Sequence, residues 1–114
     1  MPTVAIQLDP SRLTNPDLDI RYVLPDQLEE DSASAVSDDG YDYGRTSDRL
    51  TLFLRTADLA AAVPIVLGTL ENEILGNHLL NEGVVVAIAA ADRCTTEQEY
   101  TVVFPTGSPP FSLE

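Results

Sequence analysis

Apolar and polar residues alternate in three short segments of the chain, and a period of two is typical of β-strands. The three segments are residues 3–8, 18–24 and 50–55. In the second of them the alternation places Arg21 outward and Tyr22 inward. Pro residues and turn-forming residues separate the first two segments, so we expect these to pair as a hairpin.

Two further segments predict strands nearer the C-terminus. Residues 84–91 are apolar at every position, and residues 100–104 end at Pro105. A strand that is apolar on both faces is typical of the middle of a covered sheet or of an interface. We therefore expect residues 84–91 to lie in the middle of the sheet or at an interface.

One segment has helical periodicity. Apolar residues recur every three or four positions through residues 59–75, which predicts the main helix. Either Thr56 or Asp58 is a suitable N-cap. Pro64 falls inside the pattern, so the helix either bends there or begins close to it.

The order of these elements predicts a two-layer α+β domain over residues 1–105, with a mixed or antiparallel sheet of about five short strands and one main helix on one face. Segments 50–55 and 84–91, joined by the helix, can form a right-handed crossover, which would make the two strands parallel. Residues 31–48 are rich in Ser, Asp and Gly and predict a long acidic loop, and residues 106–114 a flexible tail. A single helix leaves part of the sheet uncovered, which predicts a homodimer.

The net charge of the chain limits the classes of molecule that can bind it. Nineteen carboxylates face six basic residues, all arginine, which gives a net charge of -13 over 114 residues. Such a chain repels nucleic acids and anionic membranes and attracts basic proteins. With a single cysteine, no basic N-terminal segment and no long apolar run, we expect a cytoplasmic protein.

The acidic loop contains the candidate site, whose residues are Asp38, Asp39, Tyr41, Asp42 and Tyr43. Tyrosines are favoured at protein interfaces, so this segment is a candidate surface for binding a partner. Alternatively, the two tyrosines fold back over the open face of the sheet. The aspartate spacing does not match a calcium loop, so no metal or other cofactor is expected.

Catalytic chemistry has little support in the sequence. His78 is the only histidine and follows a Gly-Asn stop signal, where a capping role is natural. Cys94 lies in a polar turn beside Arg93, without a recognisable general base. We expect no catalytic residues and no enzyme activity.

Four segments of the chain resemble small acidic bacterial proteins, among them immunity proteins of bacterial toxin systems. The segments are residues 15–22, 39–43, 52–54 and 102–105. The resemblance implies a protein that binds and blocks a toxin. Acidic inhibitors of basic toxins associate faster through electrostatic steering. The alternative is a structural or homodimeric domain with no separate activity.

Overall fold

Two strand-helix-strand units follow each other along the chain, and a fifth strand completes the sheet. The computed structural model describes residues 1–17, 19–44, 49–91 and 100–105. The order is β1 (Thr3–Leu8), α1 (Ile20–Asp31), β2 (Val36–Tyr43), β3 (Leu50–Thr56), α2 (Leu59–Leu70), β4 (Val85–Ala89) and β5 (Thr101–Phe104). The α+β class is confirmed, as are four of the five predicted strands, but there are two helices and not one.

The five strands form one open antiparallel sheet in the order β2-β3-β1-β4-β5. β1 is the central strand, and its Ala5 lies opposite both Phe53 of β3 and Ala87 of β4. β3 and β4 are both antiparallel to β1 and therefore run parallel to each other, as the predicted crossover requires, although β1 lies between them. Each helix connects two strands across an intervening one, which is a split β-α-β connection.

The strand predicted at residues 18–24 is wrong. From Ile20 the chain forms α1, and Leu18 lies outside the described residues. Ile20, Leu24 and Leu28 are spaced four residues apart, so they share one face of a helix, and all three are buried. Tyr22, predicted to point inward, is exposed. Apolar residues at Ile20 and Leu24 fit a strand pattern as well as a helix pattern. Only Leu28 distinguishes the helix from the strand.

The long acidic loop predicted at residues 31–48 is also wrong for most of its length. Residues Val36–Tyr43 form β2, which pairs with β3 along the edge of the sheet. The strand can be polar because it lies at the edge of the sheet. Only Val36 in this strand is fully buried. Residues 45–48 of the predicted loop lie outside the described part of the chain.

Helix α2 begins where the sequence indicates and ends earlier than predicted. Of the two candidate caps, Asp58 is used, and its carboxylate accepts a hydrogen bond from the Ala61 N–H at 3.3 Å. The helix continues through Pro64 and stops at Leu70. Ile74, expected in the last turn, instead reaches the core from a turn in which it forms an isolated bridge with Asn77.

Both faces of the sheet are buried. The face that carries Leu50, Leu52 and Leu54 packs against α1 and α2 in the main core. On the other face, Phe53 is only 2 % exposed and Ala87 fully buried in the single chain. The homodimer remains a prediction, but the uncovered apolar face that motivated it is not found at these residues. Among the described residues, no helix combines the length and apolar character needed to cross a membrane.

The buried side chain of Asn77 joins the loop after β1 to the loop before β4. Asn77 is fully buried. Its Oδ1 accepts from the Asn15 N–H at 2.7 Å, while its Nδ2 donates to the Asn15 carbonyl at 2.8 Å. Beside it, the Glu82 carboxylate accepts hydrogen bonds from the backbone N–H groups of Thr14 and His78. These contacts fix the loop after β1 to the loop before β4.

Lowering the pH should weaken this connection. Burial raises the pKa of Glu82, but the hydrogen bonds from Thr14 and His78 outweigh it and hold the pKa of Glu82 below its usual value. A carboxyl whose pKa is lowered by folding stabilises the protein above its unfolded pKa and loses that contribution as the pH falls through the folded pKa. The ordinary pKa of this carboxyl is about 4.5. We therefore expect the free energy of unfolding to decrease as the pH is lowered below about 4.5.

Urea titrations at a series of pH values test this expectation with Glu82→Gln beside the native chain. The variant should be less stable near neutrality, and the difference should shrink in acid. Glu71→Gln, at an exposed carboxyl after α2, is the matched control. A difference between Glu82→Gln and the native chain that does not change with pH contradicts the assignment.

Candidate functional site

The predicted site residues lie on β2, at one edge of the sheet, where they are divided between its two faces. Residues that lie opposite each other in antiparallel strands project to the same face. Tyr41 pairs with Leu52 and Tyr43 with Leu50, so both tyrosines are on the face covered by the helices. Asp42 pairs with Thr51 and is on the opposite face.

A bulge in β2 changes which of these residues share a face. Asp38 lies opposite Leu54 and Tyr41 opposite Leu52, so Asp39 and Gly40 together face one residue of β3. Gly40 has φ +93°, a conformation that side chains rarely tolerate. The Asp38 carboxylate accepts a hydrogen bond from the Gly40 N–H at 2.9 Å. Asp38 therefore holds the bulge, and the five predicted residues do not form one continuous surface.

The two tyrosines join two residues of α1 to form a cluster that we call the tyrosine–arginine patch, made of Arg21, Tyr22, Tyr41 and Tyr43. The rings of Tyr22 and Tyr41 meet edge to face with centroids 6.1 Å apart. Those of Tyr41 and Tyr43 do the same at 5.9 Å. Edge-to-face contacts of this kind are favourable because the positive edge of one ring meets the negative face of the other.

Arg21 links the rings of the patch. Its guanidinium carbon is 4.8 Å from the centroid of Tyr22 and 5.6 Å from that of Tyr41, within the range of cation–π attraction. Its Nη1 donates a hydrogen bond to the Tyr43 hydroxyl at 3.1 Å. One arginine thus contacts all three tyrosines and holds α1 against the edge strand.

The contacts within the patch shift the acidity of its members. The hydrogen bond to Tyr22, followed by the one to Tyr43, raises the pKa of Arg21. The hydrogen bond from Arg21, followed by one from Tyr41, lowers the pKa of Tyr22. The hydrogen bond to Tyr22 raises the pKa of Tyr41. The guanidinium therefore stays charged, and the Tyr22 oxygen is favoured as a hydrogen-bond acceptor.

One side of the patch packs against the core, and the other side is exposed. Tyr41 is half-buried and packs against the main core. Tyr22 is 50 % exposed and Tyr43 44 % exposed, which makes them two of the most exposed large side chains with apolar surface in the described chain. The alternative prediction, in which Tyr41 and Tyr43 cover the open face of the sheet, does not hold because both lie on the helix side.

Sequence reasoning missed Arg21 and Tyr22 because it assigned them to a strand. In that strand the two residues would face opposite sides, far from residues 41–43. The signal that could have found them is the buried spacing of Ile20, Leu24 and Leu28, since a helix through these positions leaves Tyr22 on an outer face.

His78, one of the two residues considered for catalysis, is not part of the patch. His78 is exposed and precedes the short 3-10 helix Leu79–Asn81, so it does not cap α2 as predicted. Cys94 lies outside the described residues. Within residues 1–17, 19–44, 49–91 and 100–105, no three His, Cys, Asp or Glu side chains are close enough together to hold a metal ion.

No family model, curated protein or solved structure matches this chain. The resemblance to immunity proteins therefore stays an expectation from the sequence, and function must be argued from the patch itself.

Proposed function

We propose that this chain is a non-enzymatic binding protein that inhibits a basic protein, of the immunity or antitoxin type, in the cytoplasm. The observation that carries the proposal is the tyrosine–arginine patch, in which Tyr22 and Tyr43 are held in place and still exposed. Tyrosine and arginine are enriched at the energetic centres of protein interfaces.

The arrangement of the patch favours binding because it is already ordered. A side chain that is immobilised before association loses less conformational entropy when the partner arrives. Tyr41 is packed on the core, and Arg21 is fixed by contacts with three rings. The exposed rings can therefore bury their surface against a partner at low entropic cost.

The charge of the chain favours a basic partner. With a net charge of -13, the chain attracts cationic proteins at long range and repels anionic ones. Asp19, which immediately precedes α1, is exposed close to the patch in sequence, and Asp42 is exposed on the opposite face of β2. Carboxylates of this kind contribute to long-range attraction of a basic protein, while the rings supply the contact surface.

Identification of the partner tests the proposal. The native chain and a Tyr22→Ala/Tyr43→Ala double variant are immobilised side by side and exposed to extract of the native organism. We expect a basic protein that the native chain retains and the variant releases, and whose toxic activity falls when the native chain is added. A retained protein that is acidic, or that binds both chains equally, contradicts the proposal.

The tyrosines should control how long the complex lasts. Truncating a buried interface aromatic commonly costs enough binding energy to speed dissociation about tenfold or more. We expect this effect for Tyr22→Ala and for Tyr43→Ala, with the association rate nearly unchanged. Asn81→Ala, which truncates an exposed side chain in the short 3-10 helix Leu79–Asn81, is the control. Stopped-flow or surface-based kinetics on the identified complex measures both rates.

The aspartates should control how fast the complex forms. Asn can replace Asp38 without loss of the bulge, because its amide oxygen can still accept from the Gly40 N–H. We expect the triple variant Asp38→Asn, Asp39→Asn and Asp42→Asn to associate more slowly than the native chain. The difference should be largest at low salt, where steering is least screened. An association rate that is unchanged at every salt concentration would show that these carboxylates do not steer the partner.

A further inference from the structure

The outer backbone of β2 beyond the bulge is arranged to accept another strand. The Gly44 N–H donates to the Arg49 carbonyl at 2.8 Å, so these opposite residues form a hydrogen-bonded pair. Bonded and non-bonded pairs alternate along an antiparallel ladder. Counting back from Gly44, the N–H and C=O groups of Tyr43 and Tyr41 therefore point away from β3, and those of Asp42 point toward it.

Charge makes a second copy of the chain a poor occupant of this edge. β2 is the end strand of the sheet in the described chain. Pairing β2 with β2 of another copy would bring Asp38, Asp39 and Asp42 close to the same carboxylates of the neighbour. Like charges that face each other across strands are destabilising, and charged residues are a common protection of sheet edges.

We infer that an extended basic segment of the partner adds to the sheet as a sixth strand beside residues Tyr41 and Tyr43. This inference rests on the proposed function and deepens it. Side chains of the added strand would alternate between two surroundings. On one face they contact the rings of Tyr41 and Tyr43, and on the other they meet the Asp42 carboxylate. The fitting segment therefore alternates apolar and basic residues.

The bulge limits the length of the added strand. Asp39 and Gly40 interrupt the regular backbone of β2, so pairing is expected to begin at Tyr41. At the other edge of the sheet, β5 (Thr101–Phe104) contains no acidic residue. A basic segment therefore has a reason to choose β2, and β5 serves as an internal control.

A synthetic peptide of alternating lysine and valine is a suitable probe for the full chain. Amide hydrogen exchange of the protein is followed by NMR with and without the peptide. The outward amides of Tyr41 and Tyr43 should exchange at least about tenfold more slowly when the peptide is bound, because they gain hydrogen bonds. The Asp42 amide, already turned toward β3, and the amides of β5 should change little.

Two modified peptides separate strand pairing from simple charge attraction. Each carries N-methyl groups at every second residue, one at the odd positions and the other at the even positions. An added strand turns only one of these two sets of amides toward β2. One methylated peptide should therefore lose binding and the other retain it. A peptide with glutamate in place of lysine should not bind.

A pair of substitutions tests the same point from the side of the protein. Tyr43→Ala removes the ring and keeps the outward N–H, whereas Tyr43→Pro removes both. Proline is tolerated on edge strands where its nitrogen faces outward, so the β2–β3 ladder should survive. We expect Tyr43→Pro to bind the lysine–valine peptide several-fold more weakly than Tyr43→Ala. A circular-dichroism spectrum and melting temperature close to those of Tyr43→Ala confirm that the sheet is intact.

Slower exchange at Tyr41 and Tyr43 together with unequal binding of the methylated peptides supports strand addition. If the peptide binds but both methylated forms bind equally and no outward amide slows, strand addition is overturned and the proposed function stands. If no lysine–valine peptide binds, strand addition at this edge is again overturned. The proposed function is then judged separately, by whether the patch variant releases the basic partner from extract.

Discussion

Replacing Leu24 by alanine should lower the free energy of unfolding by about 2 to 5 kcal/mol, the range for a fully buried leucine in a packed core. Leu24 has no exposed surface and lies on the inner face of α1 with Ile20 and Leu28. The substitution removes buried methyl groups and leaves a cavity that the neighbouring helix and sheet cannot fully close.

Tyr22→Ala is the matched control because it separates a helix from a strand at this segment. In a strand both Tyr22 and Leu24 would face inward, and both truncations would be costly. In α1 the Tyr22 side chain is half exposed, so its loss should be clearly smaller than that of Leu24→Ala. Urea titrations of the two variants measure the difference. Equal losses would contradict the helical assignment.

Asn77→Asp should cost about 3 kcal/mol at neutral pH, a value typical of a buried charge without a partner. The substitution keeps the shape of the side chain but removes the Nδ2 donor. That donor contacts the Asn15 carbonyl at 2.8 Å and the Leu75 carbonyl at 3.4 Å. A carboxylate at this position would face two carbonyl oxygens in a site that excludes water.

The loss for Asn77→Asp should also depend on pH. The introduced carboxyl is destabilised when charged, so its pKa in the folded state is raised, and the penalty grows as the pH rises through the unfolded pKa. Asn81→Asp, at an exposed position in the same loop, is the control and should change stability by less than about 0.5 kcal/mol. Thermal melts of both variants in acid and at neutral pH test the expectation. A loss for Asn77→Asp that does not vary with pH contradicts it.

The parts of the fold that the sequence predicts correctly are those in which one periodicity has no competitor. β1 and β3 alternate over their full length, and α2 has a stripe too long for a strand. The prediction for the segment that forms α1 was wrong because apolar residues at positions 20 and 24 satisfy both a period of two and a period near four. The segment 18–24 is too short to separate these patterns, and the decisive residue, Leu28, lies beyond it.

The candidate residues were predicted to lie in a loop, whereas the structure places them in the edge strand β2. β2 resembles a loop because an edge strand buries little and tolerates Asp and Gly. The bulge at Asp39 and Gly40 then changes which residues share a face. No local sequence pattern predicts this bulge. The contribution of α1 to the patch depends on tertiary packing, so Arg21 and Tyr22 could not be assigned to it from neighbouring residues alone.

The central position of β1 constrains how the chain is made. Thr3 lies opposite Arg55 on one side and Ala89 on the other, and its hydroxyl donates to the Ala91 carbonyl, 88 residues along the chain. β1 therefore lacks one neighbour until β4 has left the ribosome. Proteins dominated by such distant pairings fold slowly, and their unpaired strands are exposed to aggregation before they pair. We expect a nascent chain that stops before β4 to need a chaperone, so the speed of translation between β3 and β4 should affect yield.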